Sequence, residues 1–156
     1  VWELSRFGWV YPLLAAAIHE YREQTAERFW VLLADWAAHN QPNTGVHWKC
    51  GQEISIRIFA LVSALFYLQN VQSSSGERQS MLAEIIWESA KRIEANIAYA
   101  LSQKNNHGIS EAAGLFTAGV LFGQSEWTDK GKRLLEDQAH DLIYNDGSFS
   151  QHSVSF

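Results

Sequence analysis

The chain contains a single cysteine, Cys50, so no disulfide can form within it and no cysteine-based zinc site can be assembled. The redox compartment therefore stays open. Lysine and arginine never form a run, and together they number 12 against 17 acidic residues, a formal charge of −5. Phosphate backbones are bound through basic stripes, so a nucleic-acid partner is not expected. A polyanionic substrate is disfavoured by the global charge, although a local basic groove can override it. No apolar run of about 18 residues is evident, and no membrane-spanning helix is expected. Also missing are a glycine-rich phosphate loop, a His-x-x-x-His or His-Glu-x-x-His pair for zinc, and a Gly-x-Ser-x-Gly nucleophile elbow. No stretch alternates polar and apolar residues as a half-buried strand would. His19, His39 and His140 have no partner at useful spacing and read as surface or satisfied histidines.

What the chain does have is apolar mass: 47% of its 156 residues are hydrophobic and 13% aromatic, seven of them Trp. That is a globular balance sufficient for one domain with a sizeable core. Aromatics beyond the needs of a core can line walls that stack on sugar rings; the other reading is that each Trp belongs to the core.

Helical periodicity runs nearly throughout, and the spacing predicts six helices. The first is expected over residues 5–22 and the second over 25–39, where Phe29, Leu32, Leu33 and Trp36 fall at i, i+3, i+4, i+7. Asn40-Gln41-Pro42-Asn43-Thr44-Gly45 then interrupts the pattern. A third helix fits 51–70 and a fourth 77–102, separated by a serine-rich linker at 71–76. The fifth, over 109–123, is rich in Ala and Gly and suits a central position with closely approaching neighbours. The sixth covers 126–144 and ends in the turn chemistry of Asn145-Asp146-Gly147. Short loops between long helices give consecutive antiparallel pairs, either as a bundle or as a curved α/α array. The chain opens at Val-Trp-Glu and closes on Ser-Val-Ser-Phe just after a turn, and is expected to be a piece of a longer protein.

Four stretches carry candidate chemistry. Asn105-Asn106-His107 stands before the Ala/Gly-rich helix with Glu111 four residues beyond the histidine. Such a segment either caps its neighbouring helices or offers amide and imidazole donors to a carboxylate beside free helix N–H groups. In 45-GVHWKCGQEISIR-57, Glu53 and Arg57 stand at i, i+4 on one helix face below His47-Trp48-Lys49. This is either a surface ion pair with an anchoring Trp, or a sugar platform (Trp48) with an anion-contacting Arg57. After the Asp146-Gly147 turn, Gln151, His152 and Ser153 either line a cleft or form a frayed end. Trp2 and Arg6, at i, i+4, permit a cation–π contact.

Taken in order, Trp2-Glu3-Leu4-Ser5-Arg6, Gly45-Val46-His47-Trp48 with Glu53 and Arg57, Asn105-Asn106-His107 with Glu111, and Asp146-Gly147-Ser148-Phe149 with Gln151-His152-Ser153 resemble the heparinase II/III-like polysaccharide lyase family. The resemblance spans essentially all 156 residues without choosing between heparinase-type and alginate-lyase-type members. It implies an all-α fold in which antiparallel helix pairs form part of an incomplete (α/α) toroid. Residues 1–156 would be a single helical domain, with a C-terminal β-sandwich beyond residue 156. The implied activity is β-elimination on a uronate-containing acidic polysaccharide or oligosaccharide, without metal or cofactor. Asn106 and His107 would neutralise the uronate carboxylate, the histidine serving in some members as base. Asn105, Trp48, Arg57, Glu53, Glu111, Gln151, His152 and Phe156 would contact or support substrate. The tyrosine that the family usually carries after the Asp-Gly turn falls on Phe156, which has no hydroxyl to exchange a proton. A further family histidine lies outside this chain, so the 156 residues alone are expected to be inactive. A non-catalytic glycan-binding relative and a helical interaction scaffold are the alternatives, and a periplasmic or secreted location is expected.

Overall fold

The computed structural model describes residues 3–19 and 21–150, apart from the side chains of Ile18 and His19. Among the described residues seven α-helices follow one another: α1 (Glu3–Arg6), α2 (Val10–His19), α3 (Arg22–His39), α4 (Gly51–Leu68), α5 (Gly76–Ser102), α6 (Asn106–Phe122) and α7 (Ser125–Leu142), with one 3-10 turn at Val46–Trp48. Among the described residues there is no strand, only one antiparallel bridge between Ile143 and Phe149. The fold is all-α and its helices pack as antiparallel neighbours.

Two predicted boundaries move, each for a physical reason. The helix expected over 5–22 is two helices, because Phe7 turns the chain with a φ of 57°. The left-handed conformation costs a bulky residue about 1–2 kcal/mol, and here it drives the Phe7 ring into the core, edge-on to Trp36 at 5.0 Å. Pro12 then falls in the first turn of α2, where its missing N–H leaves no helical bond unmade. The second shift is at Asn105-Asn106-His107, which is not a loop. Asn105 is the N-cap of α6, its Oδ1 accepting the His107 N–H at 3.0 Å, and Asn106 and His107 already belong to the helix.

α4 lies at the centre, in contact with α1, α2, α5 and α6. Ile54, Ile58, Leu61 and Leu68 on it are fully buried. Over its 18 residues α4 has a mean hydropathy of 1.3, so by length and composition this helix could cross a membrane, contrary to the sequence-based expectation. Half of it is buried against the other helices, the property of a core helix. The serine-rich linker is tied to α3: Glu23 accepts the N–H groups of Gln72 and Ser73, and Trp30 Nε1 donates to Ser74 Oγ at 2.9 Å. Ser75 caps α5.

The α6–α7 pair meets through glycines. A Cβ at Gly131 would stand 2.6 Å from the Phe116 nitrogen and 2.9 Å from the Ala112 carbonyl oxygen, backbone atoms that cannot swing aside. In a free helix, Gly→Ala stabilises by roughly 0.5–1 kcal/mol. Here the sign reverses: Gly131→Ala is expected to lower stability by about 1–3 kcal/mol, read as a reduced urea midpoint. An unchanged or raised midpoint would show that the two helices are not in this close contact.

Candidate functional site

A cleft of about 390 Å³ opens where three chain segments meet. Lys49, Cys50 and Gly51 enter it from the start of α4, Asn96, Tyr99 and Gln103 from α5, and His107 and Glu111 from α6. His107 and Glu111 are four residues apart on one helix and so share a face. The N–H of His107 is capped by Asn105, whose Nδ2 in turn donates to Gln103 Oε1 at 3.2 Å. The His107 imidazole is half-buried and makes no hydrogen bond among the described residues.

Glu111 is 4% exposed, and its carboxylate lies over the first turn of α4. It accepts the backbone N–H of Gln52 and presses so closely on Gly51 that a Cβ there would overlap it. Cys50, the N-cap residue of α4, provides no side-chain cap, so Glu111 supplies from α6 the anion that the helix start favours. Burial nevertheless dominates and pushes the Glu111 carboxyl up to about 7, with the Gln52 N–H pulling the other way. At neutral pH both the acid and the carboxylate are populated.

Trp48, Arg57 and Glu53 lie elsewhere, in the interior. Trp48 is 1% exposed and Arg57 is completely buried. The guanidinium is sandwiched between two rings, 4.9 Å from the centre of Trp36 and 4.7 Å from that of Trp48. Its Nη1 donates to the His47 carbonyl at 3.1 Å and, at 3.5 Å, to that of Ser5, while Nε and Nη2 have no partner. Burial pulls its pKa down to about 9, still well above neutrality, and Glu53 opposes the shift. Glu53 itself pairs with Arg6, through Arg6 Nε at 2.5 Å and Nη2 at 2.9 Å, rather than with Arg57. This ion pair also raises the Arg6 pKa. The proposed sugar platform and anion contact are thus corrected: Trp48 and Arg57 have no free face to offer a ligand. What they do is hold the 46–50 segment, with Trp48 Nε1 donating to the Asn40 carbonyl at 3.1 Å and Arg92 Nε donating to the Trp48 carbonyl at 3.0 Å. Lys49 and Gly51 are delivered to the cleft by that anchoring.

Of the other expected residues, Asn105 and Asn106 are half-buried at the start of α6 and stand outside the cleft lining, Asn106 accepting from Ser110 through its carbonyl. The Asp-Gly turn is present: Asp146 Oδ1 accepts both the N–H and the hydroxyl of Ser148, which holds its carboxyl below the usual range, and Gly147 has a φ of 82°. Trp2, Gln151, His152, Ser153 and Phe156 lie outside the described residues. Sequence reasoning missed Lys49, Asn96, Tyr99 and Gln103. The available signal was the spacing of Arg92, Asn96, Tyr99 and Gln103, at intervals of four, three and four along one helix face. Among the described residues no group of three His, Cys, Asp or Glu side chains could hold a metal ion.

Two measurements follow from this geometry. The Glu111 carboxyl titrates higher in the folded chain than its ordinary 4.5, so the folded state holds a proton that the unfolded chain has released. Its contribution to stability is therefore complete below about pH 4.5 and lost as the pH rises through 7. Relative to Glu111→Gln, the wild-type unfolding free energy should fall by up to about 3 kcal/mol across that interval; a constant difference would contradict the assigned burial. For the sandwich, Arg57→Ala should cost about 3 kcal/mol or more in urea unfolding. Arg57→Lys should not restore it, because an ammonium cannot stack between two rings; full recovery by lysine would show that charge alone matters.

With the site in place, comparison with known proteins gives one result. The profile of the family described as heparinase II/III N-terminus matches residues 1–156. No curated protein and no solved structure matches the chain. A match over the whole chain makes it a member of the heparinase II/III N-terminal family and a polysaccharide lyase-related protein.

Proposed function

We propose that this chain is the helical portion of a polysaccharide lyase that cleaves a uronate-containing glycan by β-elimination, and that the cleft at the α4–α5–α6 junction receives the substrate. The observation that carries the reading is the pairing, in one cleft, of an unbonded imidazole, His107, with a cation, Lys49, that makes no ion pair among the described residues. β-Elimination requires that the uronate carboxylate be neutralised, since only then does the C5 proton become acidic enough to remove. Lys49 and His107 are the donors for that task. Neutral imidazole is also a competent base, and the leaving oxygen must be protonated in the same reaction. In this reading the helical array is part of an (α/α) toroid, and a β-sandwich follows it in the full-length protein. A periplasmic or secreted location fits a polysaccharide substrate.

The second reading rests on Phe156, which has no hydroxyl where the family usually carries a tyrosine: a glycan-binding relative that keeps the cleft without the elimination. The full-length protein should be assayed on alginate and heparan for the ultraviolet absorbance of unsaturated uronate. Lyase activity that falls by about 100-fold or more in His107→Ala, with an unchanged melting temperature, is the expected result. Binding without elimination on either glycan would favour the second reading. Activity unaffected by His107→Ala would remove the cleft from the chemistry.

A further inference from the structure

Tyr99 is 73% exposed, and unlike a scattered surface aromatic it borders the cleft. Its ring has no aromatic neighbour among the described residues, and α5 buries the opposite face through Ile86, Ile93 and Ile97. One helical turn to either side stand amide side chains whose bonds leave complementary atoms open. Asn96 Nδ2 donates to the Arg92 carbonyl at 2.8 Å, leaving its Oδ1 to accept. Gln103 Oε1 accepts from Asn105, leaving its Nε2 to donate. Lys49 adds the positive charge.

We infer that Tyr99, flanked by Asn96 and Gln103 and facing the same cleft as Lys49, forms a sugar-binding subsite for a uronate unit beside His107. The inference rests on the proposed function and names a part of the substrate site that the family match does not assign. A pyranose ring presents an apolar C–H face and a rim of hydroxyls, which a flat exposed ring and two amides match in kind. Its carboxylate distinguishes it from a neutral sugar, and Lys49 is the group that reads the difference. Asn96 and Gln103, the C-cap of α5, are seven positions apart, about 10 Å along the axis, so the subsite follows a stretch of glycan rather than a point. Here Tyr99 acts through its ring face, and its hydroxyl is dispensable.

The test is calorimetric binding of acidic oligosaccharides from alginate and heparan to the full-length protein, with neutral oligosaccharides of equal length alongside. Tyr99→Ala should weaken binding about tenfold or more, and Tyr99→Phe should stay within about twofold of wild type. Lys49→Met should remove the preference for acidic over neutral chains. The exposure of Tyr99 makes unchanged melting temperatures the expected control. Wild-type binding undiminished in Tyr99→Ala overturns the subsite while leaving the proposed function standing. Equal losses in Tyr99→Phe and Tyr99→Ala also overturn it, since the hydroxyl would then be the contact. A wild-type protein that binds no acidic oligosaccharide overturns the functional reading and the subsite together.

Discussion

The fold depends on one buried cation. The Arg57 guanidinium, with no exposed surface, lies between Trp36 of α3 and Trp48 of the 3-10 turn and reaches carbonyls of His47 and Ser5. Desolvating a charge is expensive, and two of its nitrogens are unpaired. What offsets the cost is the match between a planar, weakly hydrated cation and two aromatic faces, together with carbonyls that would otherwise be buried unbonded. Glu53, one turn away on α4, adds a favourable charge while accepting its own hydrogen bonds from Arg6. α1, α3, α4 and the turn before α4 are thus joined at a single side chain.

That junction sets the geometry of the cleft. The segment bearing Lys49, Cys50 and Gly51 is short, and its neighbour Trp48 is fixed by Asn40, Arg57 and Arg92 at once. From the other side, Glu111 closes the first turn of α4, its carboxylate so close to Gly51 that a side chain there would have to displace it. The 49–51 wall of the cleft is therefore anchored from both sides although it is a loop, and such anchoring is what the proposed placement of charge around a substrate requires.

Much of this was legible from the sequence, and the exceptions share a cause. The α3, α4, α5 and α7 periodicities place those helices within a few residues of where they lie, because a buried stripe at helical spacing has few other solutions. The grouping of His107 with Glu111 was likewise readable, being a matter of one helix turn. Trp48 and Arg57 were not readable, since a tryptophan beside a glycine and an arginine on a helix look the same whether they face a ligand or each other. Only the tertiary approach of Trp36, remote in sequence, decides it. At Asn105-Asn106-His107 the capping alternative holds for Asn105, and only the helix start, expected at 109, lies earlier: asparagine disfavours helix interiors and favours N-caps, and the same residues suit either a loop or a first turn.

The proposed site for an acidic ligand is compatible with the chain's formal charge of −5. Global charge acts over distances that salt screens within about 10 Å, whereas the cleft is read at contact range. There Lys49 is unneutralised among the described residues, and the carboxylate nearest to it in the lining, Glu111, is turned onto the α4 N-terminus and driven toward its neutral form by burial. A Glu111 held fully ionised in the open cleft would repel a uronate; one that accepts a backbone N–H and shares a proton near neutrality does not. The same burial that stabilises the α4–α6 contact thus lowers the negative potential of the cleft, and packing and electrostatics meet in one side chain.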